Sequence, residues 1–83
     1  MHKVTLYALS TCVWCKRTKQ FLDQNGIAYD YVYVDTLVGE EKERVMGEVV
    51  RWNPRQSFPT LVIDDASAVV GFQESRLREV LGL

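Results

Sequence analysis

The alternation of strand-like and helix-like segments predicts an α/β fold. It consists of a four-stranded mixed sheet flanked by three helices in the order β-α-β-α-β-β-α. Three observations carry this. An early segment, Lys3 to Leu9, is apolar on both of its alternating faces, as an internal strand covered on each side requires. Two segments of helical period, Val13 to Asn25 and Gly39 to Trp52, are set between segments of period two. Two short apolar runs near the end are separated only by Asp64-Asp65-Ala66-Ser67, which is the length and composition of a hairpin turn. At 83 residues there is room for one domain, spanning 1–83, and not for two.

In the first strand Val4, Leu6 and Ala8 alternate with Thr5, Tyr7 and Leu9, and Ser10-Thr11 breaks the run. The following helix places Trp14, Thr18, Phe21, Leu22 and Asn25 on one stripe, with Lys16, Lys19, Gln20 and Asp23 off it. Asn25-Gly26 stops it, because glycine tolerates the left-handed conformation of a helix C-terminus. Ile27 to Asp35 then reads as the second strand, with Ile27, Tyr29, Tyr31 and Tyr33 on one face. In the second helix Glu40, Glu41 and Glu43 occupy the start, where the helix dipole favours negative charge. Val45, Met46, Val49 and Trp52 form its buried stripe, and Asn53-Pro54 ends it. Thr60 to Ile63 and Ala68 to Val70 form the hairpin. A last helix from about Gln73 to Leu81 buries Leu77, Val80 and Leu81. Two parallel strands joined by the first helix and extended by the hairpin give the mixed sheet.

Composition narrows the function. Ten basic and eleven acidic residues leave a net charge of −1, which disfavours a nucleic-acid binder working by bulk charge. No apolar run exceeds four residues, so neither a membrane span nor a signal-peptide core is expected, and the chain reads as a cytoplasmic protein or as a mature form whose targeting segment is absent. The two cysteines are too few for a disulfide-stapled secreted scaffold. They are Cys12 and Cys15, three positions apart at a strand-to-helix junction.

That placement points to redox chemistry. The Cys12 sulfur falls near the unpaired N–H groups that open the helix, and the positive dipole end there favours thiolate over thiol. Lys16, Arg17 and Lys19 follow within two turns, and no acidic residue precedes Asp23. Cys15, one turn deeper, is shielded and stays a thiol. Such a pair suits disulfide exchange: Cys12 attacks a substrate disulfide, and Cys15 then resolves the mixed disulfide. As a structural staple, so short a loop would remove little chain entropy. As a zinc site the pair lacks partners, since His2 is the only histidine and reads as an exposed terminal residue without a role. No metal site is therefore expected within one chain. An iron–sulfur cluster or metal carrier bridged by Cys12 of two chains is the alternative reading.

Three landmarks make the sequence resemble the glutaredoxin family, with its thioredoxin-like fold, over essentially the whole chain. They are Thr11-Cys12-Val13-Trp14-Cys15, Ser57-Phe58-Pro59-Thr60 and Gly71-Phe72. The resemblance implies an oxidoreductase of electron transport and cell redox homeostasis that reduces protein or glutathione-mixed disulfides. Its expected partners are disulfide-containing proteins and either glutathione or a thioredoxin-reductase-like flavoenzyme. No bound cofactor is expected, glutathione is the expected co-substrate, and the expected state is a monomer. The resemblance also implies that Pro59 is a cis-proline facing the two sulfurs, and that the Phe58 backbone bridges to an extended bound substrate. From the residues alone, Pro59 equally fits a strand-start proline. Thr11, Val13, Trp14, Gly71 and Phe72 complete the expected substrate-binding set.

The sequence departs from the family at informative places. Leu9 stands three positions before Cys12, where many glutathione-using members carry a basic residue. Gly71 is followed by Phe72-Gln73-Glu74 instead of the Cys or Ser and Asp that grip the γ-glutamyl end of glutathione. Val13-Trp14 replaces the common Pro-Tyr, and Arg55 is the one cation that the loop before Phe58 offers instead. The Gly-Phe pair is closer to the glutaredoxin-like electron donors of ribonucleotide reductase.

Overall fold

The computed structural model describes residues 2–83. Four strands, β1 (Val4–Ala8), β2 (Asp30–Tyr33), β3 (Thr60–Ile63) and β4 (Ser67–Val70), form one mixed sheet in the order β2-β1-β3-β4. Strand β1 runs parallel to β2 and antiparallel to β3, and β3 pairs antiparallel with β4. The helices are α1 (Val13–Gln24), α2 (Gly39–Trp52) and α3 (Glu74–Leu81). The β-α-β-α-β-β-α order and the mixed sheet are those expected from the sequence.

Alternation along the central strands separates two apolar layers. Val4, Leu6 and Ala8 of β1, with Leu61 and Ile63 of β3, join Cys15, Phe21 and Leu22 of α1 and Leu77 and Leu81 of α3 in one core. The other face of β3 carries Thr60 and Val62, and α2 supplies the buried Val45 and Val49 there. Every residue of β3 is buried, because helices cover both faces of this inner strand.

Several boundaries and faces differ from the sequence expectation. The segment Ile27 to Asp35 is not a strand throughout. Only Asp30–Tyr33 pairs, in register with Thr5 to Ala8, and Val34–Thr36 tightens into a single 3-10 turn. In α1 the buried stripe is Cys15, Thr18, Phe21 and Leu22, while Trp14 is 56% exposed. Cys15 lies three and seven positions before Thr18 and Leu22, so it occupies the core-facing line and turns Trp14 outward. Strand β1 is one residue shorter at each end, β4 starts at Ser67, and α3 starts at Glu74. His2 is not idle, since its Nδ1 lies 2.7 Å from an Asp64 carboxylate oxygen. The same carboxylate accepts the Lys3 amide at 2.7 Å, tying the start of β1 to the β3–β4 turn.

Candidate functional site

Cys12 is the N-cap of α1, with extended backbone at φ −88° and ψ 121°. Its sulfur accepts a hydrogen bond from the Cys15 amide at 3.2 Å, one of the helix-start donors that lack an intrahelical partner. The Lys16 amide donates to the Cys12 carbonyl at 3.1 Å, and the Cys12 amide donates to Leu9 at 3.3 Å, closing the turn Leu9-Ser10-Thr11-Cys12. No acidic residue stands in the first turn of the helix.

The two thiols differ sharply. Cys12 is partly exposed, whereas Cys15 is 2% exposed and belongs to the apolar core. Burial, and next its hydrogen bond to Cys12, push the Cys15 thiol up to about 12. One sulfur is therefore accessible, and its neighbour is a buried thiol one helical turn deeper.

The loop carrying Cys12 is fastened from outside. Asp35, in the 3-10 turn after β2, accepts the Ser10 amide at 2.9 Å and the Ser10 hydroxyl. Those two donors, the hydroxyl foremost, hold the Asp35 carboxyl below the ordinary carboxylate value.

Across the sheet, β1 and β3 run in register from Val4↔Ile63 to Tyr7↔Thr60, so one further step sets Pro59 opposite Ala8. The Phe58–Pro59 peptide is cis. The Pro59 carbonyl accepts the Gly71 amide at 2.8 Å, which brings Gly71-Phe72 alongside. Phe58, Phe72 and Cys12 all pack against the core cluster that contains Cys15. Among the described residues, the backbone of Phe58 forms no hydrogen bond.

Asn53 organises the approach to Pro59, a role invisible in its reading as a helix stop. It is 3% exposed. Its amide nitrogen lies 2.9 Å from the Ser57 carbonyl and 3.1 Å from both the Ser57 and Thr60 hydroxyls. Its carbonyl oxygen accepts the Arg55 amide at 3.1 Å. An Asn with small polar residues four and seven positions on was the available signal. Ser10 and Asp35 were also missed as a pair, because 25 positions separate them.

An aromatic platform flanks Cys12. The Trp14 and Phe72 rings are stacked, with centroids 6.2 Å apart and an interplanar angle of 17°. Phe21 meets Phe72 edge-on, and the Arg17 guanidinium lies 5.5 Å from the Trp14 centroid. Val13 is 63% exposed. Thr11 is exposed in the turn before Cys12. On the far side, Trp52, Asn53, Pro54, Arg55, Val70 and Gln73 line an open groove of about 500 Å³, with Arg55 exposed on its rim. Glu74 opens α3 and lies 3.8 Å from Arg78. Among the described residues, no three His, Cys, Asp or Glu side chains gather as a metal site. None of the described helices is long and apolar enough to cross a membrane.

A mixed sheet with a Cys-x-x-Cys pair opening its first helix, beside a cis-proline at the start of the third strand, is a thioredoxin-like architecture. Within that class the chain belongs to the glutaredoxin family, whose model matches residues 4–67. Two solved structures are similar at TM-score 0.93. Methanoredoxin of Methanosarcina acetivorans is 49% identical, with 98% of this chain and 85% of that one covered. A glutaredoxin of Methanosarcina mazei Go1 is 51% identical, with 100% and 87% covered. The glutaredoxin-like protein NrdH of Lactococcus lactis is 30% identical over 93% of this chain and 97% of its own length. The chain spans 61% and 65% of the length of the Glutaredoxin 1 proteins of Rickettsia conorii and Rickettsia prowazekii, each 28% identical to it.

Proposed function

We propose that this protein is a dithiol–disulfide oxidoreductase that reduces disulfides of proteins and mixed disulfides of small thiols. Membership in the glutaredoxin family supports the general role. The observation that carries the mechanism is the unequal pair: an accessible Cys12 sulfur receiving the Cys15 amide, above a buried Cys15 thiol.

Cys12, as thiolate, attacks one sulfur of the substrate disulfide. The substrate S–S bond breaks, its other sulfur leaves as a thiolate, and a Cys12–substrate mixed disulfide forms. Cys15 then attacks the Cys12 sulfur and gives up its proton as the second substrate thiolate departs. Two electrons have passed to the substrate, and the protein holds a Cys12–Cys15 disulfide. The raised Cys15 value suits this order, because the resolving thiol stays protonated until the mixed disulfide draws it into reaction. The unpaired Phe58 backbone beside Pro59 is the bridge for an extended substrate segment, with Thr11, Val13, Trp14, Gly71 and Phe72 around it.

A thiol co-substrate such as glutathione, or a flavoenzyme of the thioredoxin-reductase kind, returns the two electrons. The groove beside Val70 offers Arg55 to one carboxylate of a small thiol. At the other end, Phe72 is stacked on Trp14, and Glu74 opposes a second carboxylate. This arrangement favours protein over glutathione as the tightly held ligand.

The test uses Cys12→Ser and Cys15→Ser. Disulfide reduction is lost in the first, and a covalent substrate adduct accumulates in the second. Full turnover by Cys12→Ser sinks the mechanism. Comparing reduction of the oxidised protein by glutathione alone with reduction by NADPH and a thioredoxin reductase identifies the reductant.

A further inference from the structure

Beside Cys12, on the side away from Phe72, the surface carries a second groove. It holds about 530 Å³ and is lined by Val13, Lys16, Arg17, Lys19, Gln20, Asp23 and Tyr33. It begins at the residue after the nucleophile and follows the outer face of α1 toward Asp23. Ten residues of helix make it about 15 Å long. Four or five residues of extended chain span about the same length.

Its charge is one-sided. Within the groove Lys16, Arg17 and Lys19 meet one carboxylate, Asp23, which already accepts the Tyr29 hydroxyl at 2.8 Å, while Arg17 also borders the hollow on its other side that Glu74 lines. Among the described residues, none of the three cations forms an ion pair. Two are held by aromatic rings instead, Arg17 over Trp14 and Lys19 4.1 Å from the Tyr31 centroid. Such contacts position a cation without neutralising it. The molecule as a whole is slightly acidic, yet Glu40, Glu41, Glu43 and Glu48 belong to α2 on the opposite side of the sheet. At the mouth, Val13 is 63% exposed and directly follows Cys12 in the chain.

We propose that this groove takes an extended, acidic segment of a partner protein, the segment that flanks the cysteine Cys12 attacks. The apolar mouth receives the residue beside that cysteine, and the carboxylates lie along Lys16, Arg17 and Lys19. The proposal rests on the oxidoreductase reading and adds the substrate class to it. Complementary charge of this kind raises encounter rates and rejects basic or neutral partners more than it adds raw affinity.

Two peptides test it, identical except for about four glutamates or about four glutamines on one side of a central residue. With serine at that centre, titration into isotope-labelled protein reads binding without chemistry. The acidic peptide shifts the amides of Val13 to Asp23 and of Tyr33, and its affinity falls about fivefold or more in the Lys16→Gln/Lys19→Gln variant. With a disulfide-linked cysteine at the centre, the acidic peptide is reduced about tenfold faster than the neutral one at low salt. That advantage shrinks to less than about twofold near 0.5 M salt. The ratio of the two rates within one variant cancels any change in Cys12 reactivity, and it drops in the double variant. Equal binding of both peptides, amide shifts confined to other elements, or a rate ratio untouched by the double variant overturns the proposal. Charge-selective binding along α1 with neither disulfide reduced upholds the groove and sinks the oxidoreductase reading instead.

Discussion

Asp35 receives both the amide and the hydroxyl of Ser10, fastening the loop that delivers Cys12 to the 3-10 turn after β2. The two donors hold the Asp35 carboxyl below its ordinary value of 3.8. A depressed value means that the stabilisation is present above the unfolded-state value and lost as pH falls through the folded one. Wild type is therefore more resistant to urea than Asp35→Ala at pH 7, and the gap narrows below about pH 4. The Ser10 amide also exchanges faster in the variant. An equal gap at pH 7 and in strong acid removes the carboxylate from the explanation.

The buried thiol gives a prediction at the other end of the scale. Native protein treated with iodoacetamide near pH 8 is modified at Cys12 alone, and Cys15 reacts only on unfolding, because it is buried and its thiol is pushed up to about 12. The ordinary value is 9.0, so the unfolded state ionises first. The Cys15 contribution to stability is complete below about pH 9 and declines as pH rises toward the folded value. Under reducing conditions, the stability difference between wild type and Cys15→Ala shrinks across that window. A constant difference would falsify the assignment.

Asn53→Ala takes away the amide that the Thr60 hydroxyl accepts and leaves the Ser57 carbonyl with the Thr60 hydroxyl as its remaining donor. It costs about 1–3 kcal/mol, read from the urea midpoint at unchanged m-value. The effect also reaches function: Pro59 lies between those two acceptors in sequence, so substrate reduction slows more than global stability loss accounts for. A variant with native stability would show that water replaces the amide.

The stack between Trp14 and Phe72 is measurable as a coupling. A double-mutant cycle with Trp14→Ala and Phe72→Ala yields about 0.5–1.5 kcal/mol of interaction in stability. Trp14 fluorescence shifts to the red in Phe72→Ala. Additive effects would mean that the two rings merely lie near one another in solution.

Legibility followed the range of the forces involved. Helix α2 and strand β3 were readable at their observed bounds, because glutamates open the first, Asn53-Pro54 closes it, and Pro59 borders the second. The Cys12–Cys15 pair was readable because local spacing and a helix start define it. Alternation alone extends β2 to Ile27 and Tyr29, whereas the ladder with β1 begins only at Asp30, a limit that lies in the pairing and not in the local pattern. Size alone assigns Trp14 to the buried stripe, but Cys15 takes the core-facing line and Trp14 stays exposed. Asn53 with Thr60, and Ser10 with Asp35, became visible only once the chain had folded back on itself.

The antiparallel pairing of β1 with β3 has a kinetic consequence. Cys12 follows the end of β1 and Pro59 precedes the start of β3, so the two halves of the site meet only when that ladder closes over some fifty intervening residues. Closing so long a loop is a late, entropically slow event compared with forming α1. A chain without that ladder would hold Cys12 at the start of α1 with Pro59 not yet set opposite Ala8. The site is complete only once that long-range ladder has closed.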